Sequence, residues 1–374
     1  MTRYTTGAAT NSRNPDRYAE GAPQTISWGN GAWVAEQAKA SKFVDLTSGL
    51  GAVILGHNEV AVTVGIADQL QRGVSYPLPS EYEEAVAFQL CDFLPWLGAE
   101  QARFSKNGAD STWAAVRLAR AVTGRSKVLI CDYHGAWSNV EPPWNAGAFT
   151  ADIERVPRRL LADAATVPEQ LRRAACVMLE PVSSNAPEEP HDQEFFAHLR
   201  WLCDASGALM ILDEMVTFGR VHGGSAVAAW GIEPDLWVGG KCMANGMPLT
   251  AVVGPRKHME RFSRDVFHSM THAGETLSLA AAAATLDVLK SQRVADKVNH
   301  FGQQVVELFT AAGKGHRVRY VYPSRLLFDF TRAELGVLLE KGVLCAGYAN
   351  FTVAHAEDAD AGAAIMEAFR AVLR

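Results

Sequence analysis

Lys241 follows two glycines at the end of one apolar run, and Asp213 and Glu214 close another, all within the stretch Ala208–Gly246. An acid and a lysine just past the carboxyl ends of neighbouring strands lie where an open α/β sheet gathers its ligand chemistry. A lysine between Gly240 and a loop of small residues is unlike a solvated surface lysine. This pair suits a Schiff base between the lysine and an aldehyde cofactor, with the acid on the cofactor's ring nitrogen.

The elements that must position the pair are legible nearby. Ala208–Leu212 and Leu236–Val238 read as buried strands, and Phe195–Ser206 reads as a helix stopped by Gly207. Strands alternating with helices at this spacing predict a mostly parallel sheet with helices on both faces. Upstream, Ala102–Ser105 reads as a strand, followed by Asn107-Gly108-Ala109-Asp110-Ser111 and a helix over Thr112–Val122 with Ala115, Leu118, Ala119 and Val122 on one face. A strand, a glycine turn and a helix start make either an anion site or a plain capped turn. Lys127–Cys131 leads to Tyr133, whose ring could stack on a flat cofactor or belong to the core. Ala175–Leu179 ends at Glu180, a site carboxylate or a strand-end ion-pair partner. Ser80-x-x-Glu83 predicts a capping box. His268 and His272 have metal-ligand spacing for a helix, but the residues after them argue for a loop and no third ligand is in place, so no metal is expected. Val294–Ala311 reads as a helix, followed by short β-like runs at Val318–Tyr322 and Leu326–Phe330.

Composition narrows the class. The 374 residues are 48% hydrophobic and 20% charged, with a net charge of −6, which points to neither nucleic acid nor anionic membrane. No apolar run nears the roughly 20 residues of a membrane span, and the N-terminus has no apolar signal core. It reads as a polar arm to about Thr25. Cys91, Cys131, Cys176, Cys203, Cys242 and Cys345 are scattered, as in a reduced cytoplasmic protein. The glycine-rich segment Asp45–Asn58 fails as a dinucleotide fingerprint, because its third glycine comes too late. A nucleotide-binding P-loop fails as well, since Asp235 stands where its first glycine belongs and Cys242 replaces the hydroxyl residue.

The quoted residues carry a resemblance. Asp213-Glu214-x-x-Thr217-x-Gly219-Arg220, Pro234-Asp235 and Gly240-Lys241-x-Met243-x-Asn245-Gly246-Met247-Pro248 resemble the class III aminotransferases, fold-type I pyridoxal-phosphate (PLP) enzymes, and within them the glutamate-1-semialdehyde aminomutase branch. The resemblance runs from about Asp45 to the C-terminus. It implies an α/β fold with an arm and part of a small domain in 1–50, a large PLP-binding domain in 51–294 and a small α/β domain in 295–374. It implies PLP as an internal aldimine on Lys241, Asp213 on the ring nitrogen, and the phosphate at Gly108 and Ala109. Tyr133 would lie on the pyridine ring, with His134 among the cofactor-binding residues and Glu180 nearby. Met215 would pack on the opposite ring face, although ordinary core serves it equally well. Thr271 would reach the phosphate of a second subunit, making a homodimer with shared sites.

The activity implied is amino-group transfer on a small amino or carbonyl substrate, within one molecule or to a keto or aldehyde acceptor. A conventional aminotransferase, a PLP decarboxylase or lyase, and a non-catalytic binding protein are the alternatives. Between Arg325 and Gly342 the chain departs from the family pattern and looks shortened, as if most of a small-domain helix were lost. Cys345–His355 has no arginine or lysine, where ornithine-type relatives place the arginine that clamps a dicarboxylate acceptor. This favours a mutase-like reaction or an acceptor other than 2-oxoglutarate; Arg325 and Arg332, earlier in the chain, are the nearest candidates for that arginine or else plain surface charges.

Overall fold

The computed structural model describes residues 8–36, 41–96, 98–141, 145–148, 150–189 and 191–374. Its central sheet has seven strands, in the order Gln101–Ser105, Thr250–Gly254, Leu236–Gly239, Leu209–Glu214, Ala174–Leu179, Lys127–Ile130 and Ile153–Arg155. The last five are mutually parallel, and Thr250–Gly254 runs antiparallel to both of its neighbours. Gln101–Ser105 therefore points the same way as the parallel strands. Six carboxyl ends share one edge of the sheet, and the loops that leave them can converge there.

Alternation along each strand divides two cores. Met210, Leu212 and Trp237 join the core on one face, whereas Ile211, Leu236 and Val238 join the core on the other. The helices Gln193–Ser206 and Thr276–Ser291 cover the first face, and Gly108–Thr123 covers the second. Each fully buried Leu or Ile contributes roughly 1.5–3 kcal/mol, and apolar cover on both faces explains why strands this short hold. Among the described residues, no helix is long and apolar enough to cross a membrane.

Two smaller sheets complete the fold. Trp28–Asn30, Trp33–Ala35 and Lys42–Asp45 form one with Val343–Leu344, which pairs parallel to Lys42–Asp45. Val318–Arg319, Arg325–Phe328 and Tyr348–Asn350 form the other, all antiparallel.

The interval between Arg325 and Gly342 holds a helix of nine residues, Arg332–Glu340, started by a Thr331–Glu334 capping box. The structure corrects one expectation. The helix expected from Thr112 begins at Gly108 instead. Its polar opening residues, which read as a loop, are the cap: the Asn107 N–H donates to Asp110 Oδ2 at 3.1 Å. Val294–Ala311 is helical as the periodicity predicts, and the Ser80–Glu83 capping box is present.

Candidate active site

Asp213 and Glu214 are consecutive on a fully buried strand, so their side chains leave opposite faces. Glu214 is turned into the protein. Its carboxylate accepts from Ser225 Oγ (2.6 Å), Thr217 Oγ1 (2.8 Å), the Ala226 N–H (2.8 Å) and Trp237 Nε1 (3.0 Å). With its acceptor sites occupied, it anchors the loop that follows. Asp213 is turned toward the loop after Lys127–Ile130. Its Oδ2 lies 2.7 Å from His134 Nδ1, and its Oδ1 accepts the Met215 N–H at 2.9 Å. Burial alone would lower the His134 pKa, but the hydrogen bond and charge of Asp213, helped by Asp132 and Glu180, reverse the direction and raise it. His134 Nε2 is buried without a partner.

Lys241 lies two residues beyond Gly239, which pairs with Glu214 in the sheet register. Its φ of 38° is in the left-handed region, a strained conformation of the kind that clusters at functional sites. Its amine has no hydrogen-bond or ion-pair partner among the described residues. Burial lowers its pKa, the charges of Glu180 and Asp213 oppose that, and Arg325 and Arg220 lower it further; the net direction is down. Gly240 is required here by close approach. A Cβ would stand 2.4 Å from Thr250 Cγ2 and 2.8 Å from Met215 Sδ.

The third component lies across the sheet. Gly108 and Ala109 open a helix of 16 residues, and their N–H groups have no acceptor among the described residues. Thr250 ties this turn to the lysine loop through Asn107 O (3.1 Å) and Ser111 Oγ (2.8 Å). Gly135, at φ 106°, brings the loop after His134 against Ala109, where a Cβ would be 2.7 Å from the alanine methyl. Met215 is buried in the core, with its sulfur wedged between Gly108 and Gly240.

Glu180 is buried beside this group. Its carboxylate accepts from the Ser184 N–H (2.5 Å) and Ser184 Oγ (3.0 Å). Burial first, then the charges of Asp132 and Asp213, push its pKa up to about 7. Beneath it Asp132 accepts Arg158 Nη2 at 2.6 Å and the Glu180 N–H at 2.9 Å, and Arg158 also donates to Glu180 O.

The structure thus brings Asp213, His134, Met215, Glu180, Lys241, Gly108 and Ala109 to one edge. The other two candidates stand more open. Tyr133 is 49% exposed, and Thr271 sits in an exposed turn, with no hydrogen bond, ion pair or ring contact among the described residues joining it to Lys241 or Gly108. His268, in the same segment, lies 3.1 Å from Ser105 Oγ.

Sequence reasoning missed the clasp on the glycine-rich loop. Arg220 donates to Gly51 O (3.1 Å) and Phe351 O (2.9 Å), while Asn245 bonds Ile54 N, Leu55 N and Gly56 O, each at 3.0 Å. Both residues lie inside the quoted motifs, which were the available signal. Arg325, which the sequence leaves as either a carboxylate candidate or a surface charge, is only partly exposed, and its charge is among those that lower the Lys241 pKa. Only strand register shows this, because Arg325 stands opposite Asn350.

A phosphorylated pyridine aldehyde needs an acid for its ring nitrogen, an uncommitted lysine for its aldehyde and free N–H donors for its phosphate. Asp213, Lys241 and the Gly108–Ala109 turn meet those needs along one edge. The residues present fit the group.

Comparison with known proteins agrees. Residues 149–323 match the family described as Aminotransferase class-III. The chain is 34% identical over 299 residues to a glutamate-1-semialdehyde 2,1-aminomutase of Nitratidesulfovibrio vulgaris strain DP4, covering 74% of this chain and 70% of that protein. The PLP internal aldimine form of the Sphingopyxis sp. MTA144 FumI protein superposes with a TM-score of 0.84 at 25% identity, over 96% of this chain and 91% of that one. A β-phenylalanine aminotransferase from Variovorax paradoxus shares the fold, with a TM-score of 0.85 at 22% identity over 98% of this chain and 90% of that one. With its relatives' motifs on one sheet edge and that identity over most of its length, the chain belongs to the class III aminotransferase family.

Proposed function

We propose that this protein is a PLP-dependent enzyme that moves an amino group on a small amine or carbonyl substrate through Lys241. The observation that carries this reading is a lysine without a partner among the described residues and an acid locked by a histidine at 2.7 Å, on adjacent strand ends of one sheet edge. Bound PLP supplies the aldehyde that receives the amine and a ring that withdraws electrons from the substrate carbon. The chain's own residues do the rest. Burial favours the neutral form of the Lys241 amine, the form able to take a proton from that carbon and return it. Asp213, fixed by His134 and the Met215 N–H, would hold a proton on the ring nitrogen. The N–H groups of Gly108 and Ala109 would receive the phosphate at a helix N-terminus. Tyr133 and Met215 would serve the ring, and the charge of Glu180 would act on Lys241.

We also propose a homodimer in the cytoplasm. The exposed turn at Thr271 lies near Phe267, which is 73% exposed, and Leu78 and Phe88 are 76% and 73% exposed. Side chains of that size standing open support a covered interface, with Thr271 serving the neighbour's phosphate. The six cysteines stand free, which fits a reducing compartment.

Transfer within one substrate is supported by the likeness to aminomutases. Transfer to a keto-acid acceptor is favoured by Arg325, which stands beside the arginine-free stretch. Borohydride should fix PLP on Lys241, and Lys241→Ala should lose both fixation and turnover; fixation on another lysine refutes the assignment. The pyridoxamine-loaded enzyme mixed with 2-oxoglutarate separates the two routes. Rapid glutamate release establishes an acceptor, whereas turnover of an amino aldehyde without added keto acid establishes the mutase.

A further inference from the structure

Lys106 stands between the strand Gln101–Ser105 and the Gly108 turn. Its ammonium donates to Glu275 Oε2 at 2.9 Å, and the two side chains are only 12% and 14% exposed. The other lysines in ion pairs among the described residues, Lys127, Lys290, Lys297 and Lys341, are 37–67% exposed. Pairs of that open kind contribute little, whereas an enclosed pair gives up hydration at both ends and is costly to break from one side. Glu275 is committed further. Its carboxylate accepts the Leu277 N–H at 2.6 Å and Ser278 Oγ at 2.7 Å, so it also caps the helix Thr276–Ser291. Burial alone would raise its pKa, but the hydrogen bonds from Ser278 and Lys106 reverse the direction and lower it.

The ion pair is one of three pins on a single segment. At the segment's other end, His268 Nε2 lies 3.1 Å from Ser105 Oγ, and Arg103 Nη2 donates to His268 O at 3.1 Å. Both ends of His268–Glu275 are thereby fastened to Arg103, Ser105 and Lys106, while Thr271 and His272 between them stand exposed. Gly274 lets the segment pass close to a neighbouring helix, since a Cβ there would stand 2.6 Å from Glu83 Oε1. One chain thus ties the turn that carries free N–H groups to the turn that carries Thr271. We propose that Lys106 and Glu275 are positioning residues for the cofactor's phosphate, their ion pair acting as a strut that holds the Thr271 turn in place against the Gly108 turn. The proposal rests on the phosphate reading of those two turns, and it adds the residues that keep them in place. Donors fixed before the phosphate arrives lose less freedom when it binds, and that raises affinity without any new contact.

The test reads cofactor affinity rather than turnover. Wild-type, Lys106→Met, Glu275→Gln and Lys106→Arg proteins, freed of cofactor, are titrated with PLP and with pyridoxal, which lacks the phosphate, and binding is followed by absorbance. Lys106→Met and Glu275→Gln should each lose roughly tenfold in PLP affinity, the scale of one charge-assisted hydrogen bond, and change by less than about twofold toward pyridoxal. The double variant should lose no more than either single one, because both remove the same contact. Lys106→Arg, which keeps the charge, should stay within about threefold of wild type for PLP. Glu275→Gln keeps an oxygen for the helix cap, so it decides the outcome if Lys106→Met does not fold. The proposal is overturned if the variants keep the wild-type ratio of PLP to pyridoxal affinity, an equal loss toward both ligands included, or if the two losses add in the double variant. A wild type that binds PLP no more tightly than pyridoxal would remove the phosphate reading of the turns and the proposal with it. A wild-type preference for PLP that the variants retain would sink the strut alone.

Discussion

Asp213→Asn isolates the charge at the ring-nitrogen end of the site, because the amide keeps the carboxylate's shape. Its oxygen can still accept the Met215 N–H, now at 2.9 Å from Oδ1. The amide nitrogen then faces His134 Nδ1, where Oδ2 stood at 2.7 Å. Two donors cannot meet there, so His134 must move its proton to Nε2, which is buried and without a partner. Losing a hydrogen bond to a charged group costs about 1.5–3 kcal/mol, and that sets the expected loss of stability. Catalysis should lose more. A neutral amide does not stabilise a protonated pyridine, and removing one member of a buried charge pair costs about 3–5 kcal/mol. At roughly 1.4 kcal/mol per decade, the single-turnover rate should fall by about two to three and a half orders of magnitude. The assay mixes PLP-loaded variant with saturating amine and follows the cofactor absorbance, while borohydride fixation counts the cofactor retained. A rate within threefold of wild type at equal loading would remove Asp213 from this role.

Glu180 carries a pH prediction. Its folded pKa of about 7 lies above an ordinary 4.5 because burial and the charges of Asp132 and Asp213 disfavour its ionised form. Its stabilising contribution is therefore fully present below about pH 4.5 and is lost as pH rises through 7. Glu180→Gln should flatten the fall in stability between those values, by about 3 kcal/mol at most; denaturant titrations across that window that stay parallel to wild type would contradict the assignment. For Thr271, mixing Thr271→Ala with Lys241→Ala chains should restore activity, since one site of each heterodimer would carry neither defect. An active, stable monomer would rule out the shared site.

The central stretch was legible because its cues are local. Apolar runs, terminal glycines and a helix-stopping Gly207 fix elements without reference to distant chain, and the strands around Asp213 and Lys241 fall within a residue or two of their sequence boundaries. The start of the phosphate-turn helix was misplaced because Asn107 and Asp110 look like loop residues until their reciprocal cap is seen. The placement of Arg325 stayed open for another reason. Whether an arginine near an apolar run faces solvent or a cleft is set by its register against Tyr348–Asn350 and by a brace from Ser184, far away in sequence. The arginine-free stretch Cys345–His355 does not itself show that the neighbouring strand places an arginine beside Asn350.

The parallel pairing of Lys42–Asp45 with Val343–Leu344 bears on how the chain reaches its native state. The seven strands of the central sheet all lie between Gln101 and Gly254, so that sheet can assemble while later residues are still being synthesised. The smaller sheet cannot. Its first three strands emerge early and keep an unpaired edge until nearly the whole chain has followed, the kind of exposed edge that invites wrong partners. Closing the sheet joins residues from opposite ends of the sequence, and such distant pairings form slowly. The Asp45 and Ser48 loop, which bonds back to Asn350 and borders the cleft, would then be among the last parts to set. A chain stalled at that stage would have its central sheet formed and its substrate side unfinished.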